Sequence, residues 1–266
     1  MQSYIRNVKY SDLVKKIGAH HHDTHQILYV LNGTAEITVN HESYQLESGS
    51  LIFISRTESH SVTSVGGKYE RYEIRISPEI LSSAVKDHRL YSVLSNRPKG
   101  FSRVIKMQSP DVIGIFEKIN EEFHHTAPYR EEALSLLLDR LLIAVYRRYP
   151  GMFSAADIPF FETISKIQRQ FENDMAKTYH LTELAAEYHI SKYYLSHLFK
   201  TVTGYSVMEY LKALRLAKAK MLLAGTTSSI SEIVKTCGFS DSSNFSREFK
   251  RSTGLSPRDF RSKHRR

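Results

Sequence analysis

Cysteine is almost absent. Cys237 is the single one in 266 residues, which excludes an internal disulfide and any multi-cysteine zinc site and suits a reducing compartment. Long apolar runs are missing too. The most apolar stretch, residues 134–146, is interrupted by Asp139 and Arg140 and is too short to cross a bilayer. The opening MQSYIRNVKYSDLVKK contains no apolar core of the signal-peptide kind. No GxGxxG, GxSxG, HExxH or GxxxxGK followed by Ser or Thr occurs, which removes the commonest nucleotide-binding, hydrolase and metalloprotease signatures. A cytoplasmic protein with no membrane attachment is expected, not an enzyme of those classes.

Positive charge is what the chain has in excess. Lys and Arg number 37 against 28 Asp and Glu, a formal net charge of +9 with a pI near 9.4. Such an excess favours a polyanionic partner, although scattered surface lysines give the same total, so location decides. Residues 1–150 carry 19 basic and 17 acidic side chains, whereas residues 151–266 carry 18 and 11. The shorter part holds most of the excess. A length near two ordinary domains agrees with this division, which places one domain at 1–150, a linker at 151–159 and a second domain at 160–266.

The first part reads as strands and turns. Gln26–Leu31 leads to Asn32-Gly33, a hairpin signal supplying the positive φ of a type I′ turn. Thr34–Val39, Tyr44–Leu46, Leu51–Ile54 and Tyr69–Ile76 continue the series, and strands at this spacing predict an antiparallel sandwich or barrel. Two later segments change to helical period. Val112, Ile115, Phe116, Ile119 and Phe123 share one face, as do Leu134, Leu137, Leu138, Leu141, Leu142 and Val145. This pair either covers the sheet or meets its counterpart in a second subunit.

Histidines cluster at the start of the strand series. His20 and His22, two residues apart, point to one face of a strand and can share a ligand. With Gln26, Gly33, Gly49 and His60, their spacing resembles the two motifs of the cupin barrels, in which two histidines, a Glu and a final His bind a metal. Gln26 stands where the carboxylate belongs, and a neutral amide is a weak ligand for a transition metal and no general base. The residues His20, His22, Gln26, Tyr29 and His60 are therefore expected to line a pocket for a small polar effector, with no metal and no cofactor. Histidines that only line the barrel mouth, and a cupin metalloenzyme joined to a DNA-binding tail, are the alternatives.

The second part repeats itself. Leu181-Thr-Glu-Leu184 returns as Ile230-Ser-Glu-Ile233 at an offset of 49, and Leu195-Ser-His-Leu-Phe-Lys200 returns as Phe245-Ser-Arg-Glu-Phe-Lys250 at an offset of 50. Thr203-Gly-Tyr-Ser206 likewise returns as Thr253-Gly-Leu-Ser256. A period this long marks a duplicated supersecondary unit. In the second copy Ser229 and Glu232 form a capping box for a short helix, Gly238-Phe239 breaks it, Ser240 or Asp241 caps the next helix and Thr253-Gly254 ends it. Short helix, tight turn and second helix make a helix-turn-helix. Lys192, Tyr193, Ser196, His197 and Lys200 lie on the polar face of the first copy, and Ser243, Asn244, Arg247, Lys250 and Arg251 on that of the second. Such donors suit base edges in the major groove. An intervening helix, Val207–Leu223, would hold the copies about 25 Å apart.

The segments 233–239, 244–250 and 254–261, IVKTCGF, NFSREFK and GLSPRDFR, resemble the signature of the AraC/XylS family of bacterial transcription regulators. The resemblance extends over about 160–261 and, more loosely as a cupin-like sensor, over 19–60. It implies an α+β two-domain fold, with an N-terminal cupin-like antiparallel β-barrel carrying the helical pair and a C-terminal all-α domain of two helix-turn-helix units. It also implies two recognition helices entering successive major grooves of double-stranded DNA. A transcription regulator follows, an activator controlled by a small polar effector such as a sugar, with RNA polymerase and a second copy of the chain as partners. A ligand-independent DNA binder is the remaining alternative.

Overall fold

The computed structural model describes residues 4–12, 17–20, 23–40, 42–82, 88–153 and 160–264. Residues 21–23 aside, these fall into two compact units divided between 158 and 159. The first unit carries seven strands: β1 (Ile5–Ser11), β2 (Ile17–His20), β3 (His25–Val39), β4 (Glu42–Leu46), β5 (Ser50–Ile54), β6 (His60–Ile76) and β7 (Val104–Lys106). They form one antiparallel sheet in the order β1-β6-β3-β5-β7, with β2 added to β6 and β4 to β3. Among the described residues the pairing path ends at β1 and β7 instead of joining them, so the fold is barrel-like and not a closed ring.

Two long strands serve both halves of this sheet. Residues 25–30 of β3 pair with 71–76 of β6, and residues 34–39 pair with 60–65. The register slips between Val30 and Thr34. Gly33 sits in that slip with φ +87°, where an added Cβ would meet the Lys68 carbonyl oxygen at 1.9 Å. Asn32-Gly33 therefore makes a bulge inside a continuing strand, and not the hairpin its composition suggests. A bulge and a type I′ turn both need a residue at positive φ. The choice falls to the bulge because Thr34–Val39 go on pairing with the same partner strand. The hairpin comes one step later, where Val39 pairs with Glu42 and Asn40 takes φ +48°.

Alternation along β3 separates two cores. Ile27 and Tyr29, with Leu51, Phe53, Tyr72, Ile74 and Ile76, face the helices α2 (Pro110–His124) and α3 (Arg130–Arg148); a one-turn helix, α1 (His88–Tyr91), precedes them. Phe116 of α2 lies stacked on Tyr29 at 4.8 Å and on Tyr72 at 5.9 Å. Leu28 and Val30, with Ala35, Ile37, Val39, Ile52, Ile54, Val62 and Tyr69, fill the opposite, inner side. The helical pair thus covers the sheet through Val112, Ile115, Phe116 and Ile119 of α2 and Leu134, Leu138, Leu141, Leu142 and Val145 of α3. Met152 and Phe153 are buried in this same core, so residues 152 and 153 pack as part of the first unit and not as linker.

The second unit is helical throughout its described length: α4 (Phe161–Asn173), α5 (Leu181–Glu187), α6 (Lys192–Thr203), α7 (Val207–Gly225), α8 (Ile230–Thr236), α9 (Ser242–Thr253) and α10 (Pro257–His264). Duplication extends to the wiring. Thr203 Oγ1 donates to the Phe199 carbonyl at 2.7 Å and accepts from Tyr205 N–H at 3.1 Å, and Thr253 does the same with Phe249 and Leu255 at 2.8 and 3.2 Å. Gly204 and Gly254 end α6 and α9 at φ +80° and +75°, the left-handed position that glycine fills without strain. Helix α10 follows Ser256 as α7 follows Ser206, so it is the shortened second copy of α7. The residue capping α9 is Asp241.

Candidate DNA interface and sensor interior

Helix α6 buries Leu195, Leu198, Phe199 and Val202 and turns the other side to solvent. Ser191 caps it, accepting from Tyr194 N–H at 3.1 Å. Lys192, Tyr193, His197 and Lys200 are exposed, and Ser196 is half-buried between them. Tyr193, 77% exposed, carries the Lys192 ammonium 5.1 Å from its ring centroid. Tyr194, which sequence reasoning passed over, is pinned edge-on to Phe160 at 5.8 Å.

Helix α9 buries Phe245 and Phe249 and exposes Ser243, Arg247, Lys250 and Arg251, with Asn244 half-buried. Asp241 caps it by accepting from Asn244 N–H at 2.7 Å, and Asn244 Oδ1 accepts from Arg247 Nη2 at 3.2 Å. That bond holds the guanidinium along the exposed face with its remaining donors directed outward. Glu248 was also missed in the sequence. Its carboxylate accepts from Arg251 Nη2 at 2.6 Å and from Lys212 Nζ of α7 at 3.0 Å, and the Lys212 hydrogen bond holds the carboxyl below its ordinary range. Arg251 is thus partly neutralised, unlike Lys250. A carboxylate in the middle of a basic face gives no sequence signal that separates it from a solvated one.

The two copies are tied together by more than α7, whose 19 residues span about 28 Å. Arg215, halfway along α7, donates from Nε to the Met175 carbonyl and from Nη2 to the Lys177 carbonyl, both at 2.7 Å. This anchors the α4–α5 loop on the spacer helix. Arg215 is half-buried in doing so, and burial pulls it below the usual guanidinium range.

In the first unit, strand alternation decides where the expected effector residues stand. Gln26 shares the inner face with Leu28 and Val30, and His60 shares it with Val62; both are buried. The backbone of His20 in β2 pairs directly with that of His60 in β6, which places these two positions side by side. His22 lies outside the described residues. Tyr29 belongs elsewhere: an odd step along β3 turns it to the helix side, where it stacks on Phe116 and donates to the Met107 carbonyl at 3.3 Å. It cannot face a ligand held with Gln26, and the period of two required this. Among the described residues no three His, Cys, Asp or Glu side chains converge into a metal-holding group.

Three buried residues were missed. Tyr69 is buried, its hydroxyl has no hydrogen-bond partner among the described residues, and burial pushes its pKa up to about 12. The Arg71 guanidinium lies 4.7 Å over the Tyr69 ring. Glu58, just before β6, accepts from Arg97 at 2.7 and 3.0 Å and from Arg103 at 2.9 Å, while Ser55 N–H donates to it at 2.7 Å. Burial alone would raise this carboxyl; the two guanidinium groups overcome that and hold it at about 2. The interior therefore combines an apolar wall with a few fixed polar groups, the usual make-up of a small-molecule site.

Comparison with known proteins agrees with both units. Residues 14–145 match the family model described as an AraC-like ligand binding domain, and residues 184–263 match a helix-turn-helix domain. The HTH-type transcriptional activator RhaR of Yersinia pestis is 27% identical over 243 residues, covering 91% of this chain and 83% of the relative. RhaR of Cronobacter sakazakii is 27% identical over 247 residues, with 91% and 86% covered. Among solved structures, ToxT from Vibrio cholerae superposes with a TM-score of 0.63 at 17% identity over 98% of both chains. A ToxT structure with bound unsaturated fatty acid gives 0.62 at 17%, covering 98% of this chain and 96% of that one. At that identity the likeness is one of fold.

Proposed function

The chain belongs to the AraC/XylS family of transcription regulators, and we propose that it activates transcription by reading duplex DNA through α6 and α9 under the control of a small effector held inside its sheet. The observation that carries this reading is the duplicated helix-turn-helix. Two recognition helices with matching Thr–Gly ends each turn a donor-rich face to solvent. Lys192, Tyr193, Ser196, His197 and Lys200 would serve one groove and Ser243, Asn244, Arg247, Lys250 and Arg251 the next, mixing phosphate and base contacts. The activator name borne by the RhaR relatives supports an activating output, which brings RNA polymerase in as partner, and the protein works as a homodimer. Catalysis has no place in this scheme, since the amide of Gln26 supplies neither metal ligation nor a general base.

For the effector, the hydrogen-bonding groups of Gln26, His60 and Tyr69 suit the hydroxyls of a sugar. The apolar wall of Leu28, Val30, Ile37, Ile52 and Ile54 favours a second class, a ligand with an aliphatic body. Whichever enters, it regulates only through different affinity for two states, by about 1–3 kcal/mol in typical cases. The test is a thermal-shift screen of sugars and aliphatic acids, followed by DNA-binding anisotropy with and without each hit. A hit that raises the melting temperature and changes operator affinity supports the reading. Operator binding unchanged by every stabilising ligand would leave a ligand-independent DNA binder.

A further inference from the structure

Strand β6 carries charge on a side of the sheet that is otherwise mostly apolar. Arg71, Glu73 and Arg75 follow the inner-facing Tyr69 at steps of two. Their register partners on β3 are Val30, Leu28 and Gln26, the inner-facing residues of that strand. Arg75 Nε donates to Glu73 Oε1 at 2.7 Å, so that pair is matched in charge. Two other acidic side chains of this stretch are engaged elsewhere, Glu58 by Arg97 and Arg103 and Glu70 by Lys68. The row 71, 73 and 75 thus keeps a net positive charge, and its buried member is Arg71, 5% exposed. The Arg71 guanidinium lies 4.7 Å over the Tyr69 ring. Tyr69 is 1% exposed, and its hydroxyl makes no hydrogen bond among the described residues.

For the fold alone, a cation here is a poor choice. An apolar side chain at position 71 would complete the wall of Leu28, Val30 and Tyr69 without taking a charge out of water. For a ligand the balance reverses. A carboxylate accepts from a guanidinium and from a phenol hydroxyl and also cancels the charge, and away from water that attraction is several times stronger than at the surface. A sugar hydroxyl takes the same hydrogen bonds but leaves the charge standing. We propose that the effector carries a carboxylate, held by Arg71 and Tyr69 on the inner face of β6, with its carbon body against Leu28, Val30, Ile52 and Ile54. The proposal rests on the effector-sensing reading above and adds the ligand's charge and its anchor. A sugar acid and an aliphatic acid share this chemistry.

Thermal shift and calorimetric titration of the full chain test it with matched probes. Butanoate, hexanoate and octanoate are set beside the corresponding alcohols, and glucuronate and galacturonate beside glucose and galactose. At least one acid is expected to raise the melting temperature while its neutral counterpart does not, and the series that responds identifies the carbon body. Arg71→Gln should weaken that acid by about 10- to 100-fold, the worth of a charge-assisted hydrogen bond, and Arg71→Lys should recover part of the loss. Glu73→Gln removes a negative charge from the same face, so the acid binds more tightly while its neutral counterpart is unmoved. That arm reads the charge even where Arg71→Gln fails to fold. An alcohol or hexose that binds as tightly as its acid overturns the carboxylate and leaves the effector-sensing reading standing. An acid unmoved by both Arg71→Gln and Glu73→Gln overturns the anchor. A chain stabilised by none of the acids overturns the proposal, and the sensing reading falls with it only if the wider screen of sugars is silent as well.

Discussion

Gly238, in the turn of the second helix-turn-helix, rests directly on Ala176 in the loop joining α4 to α5. A Cβ on Gly238 would come within 2.6 Å of the Ala176 Cα and 2.7 Å of its carbonyl oxygen. That loop is the one Arg215 holds from the spacer helix. The turn of one DNA-reading copy is therefore seated against a segment belonging to the other. The distance between the recognition helices is fixed by this contact as well as by the length of α7.

Gly238 has φ +74°, and Gly254 has φ +75° but nothing within 4 Å of its added Cβ. The pair separates backbone strain from steric contact. Gly254→Ala is expected to cost about 1 kcal/mol, the left-handed penalty alone. Gly238→Ala adds displacement of the Ala176 backbone, for a total of about 2–4 kcal/mol. Urea unfolding of the two variants measures the difference; equal losses would mean that the loop moves aside freely.

Arg247 and Glu248 are neighbours on α9 with opposite expected effects. Arg247→Ala should weaken specific binding by about 1–3 kcal/mol and relax base choice at one position, with little change on random duplex. Glu248→Gln releases Arg251 and Lys212 from their shared carboxylate, so affinity for random duplex rises and the salt dependence steepens by about one phosphate contact. Anisotropy titrations on operator and random DNA at several salt concentrations read both. Equal losses on the two DNAs for Arg247→Ala would make it a phosphate contact.

Lys220 of α7 is buried and donates to Ser252 Oγ of α9 at 3.2 Å, and burial pulls its pKa down to about 7. The unfolded chain keeps that proton to about pH 10, so between about 7 and 10 the unfolded state binds more protons. Stability therefore rises with pH across that window, and below about 7 the whole cost of burying the ammonium is present. Lys220→Met should remove this slope and raise stability at pH 6 by about 3 kcal/mol. Comparing wild type and variant in urea unfolding at pH 6 and pH 9 checks it, and parallel pH profiles would place Lys220 in a wetter site.

Much of this was legible in the sequence, for reasons that differ between the units. The helix-turn-helix copies could be bounded almost to the residue because their ends are chemical: Ser191, Ser229 with Glu232, Gly204 and Gly254 each satisfy a specific orphan group. In the sheet unit the strands were legible but their continuation through Asn32-Gly33 was not, since the choice of bulge or turn depends on distant residues of β6, Lys68 and Glu70. The candidate pocket mixed both faces of β3. Gln26 and Tyr29 differ by an odd step and had to part. Tyr69 and Arg71 escaped notice because only the fold brings them to the inner side, and Glu58 because its partners Arg97 and Arg103 lie far along the chain.

Tyr69 offers a test in which stability and binding move differently. Its hydroxyl is buried with no hydrogen-bond partner among the described residues, so the folded ligand-free protein gains little from it. Removing such a group relieves a desolvation cost instead of breaking a bond. Tyr69→Phe should therefore leave the ligand-free melting temperature unchanged or raise it, by about 1 kcal/mol of stability at most. An effector that enters the inner side and accepts from this hydroxyl would lose about 1–2 kcal/mol of affinity, roughly tenfold, in the same variant. Thermal melts with and without the effector found in the screen read both quantities in one experiment. A fall in ligand-free stability would mean that the hydroxyl has a structural partner. Unchanged effector affinity would place the ligand away from Tyr69, toward His20 and His60.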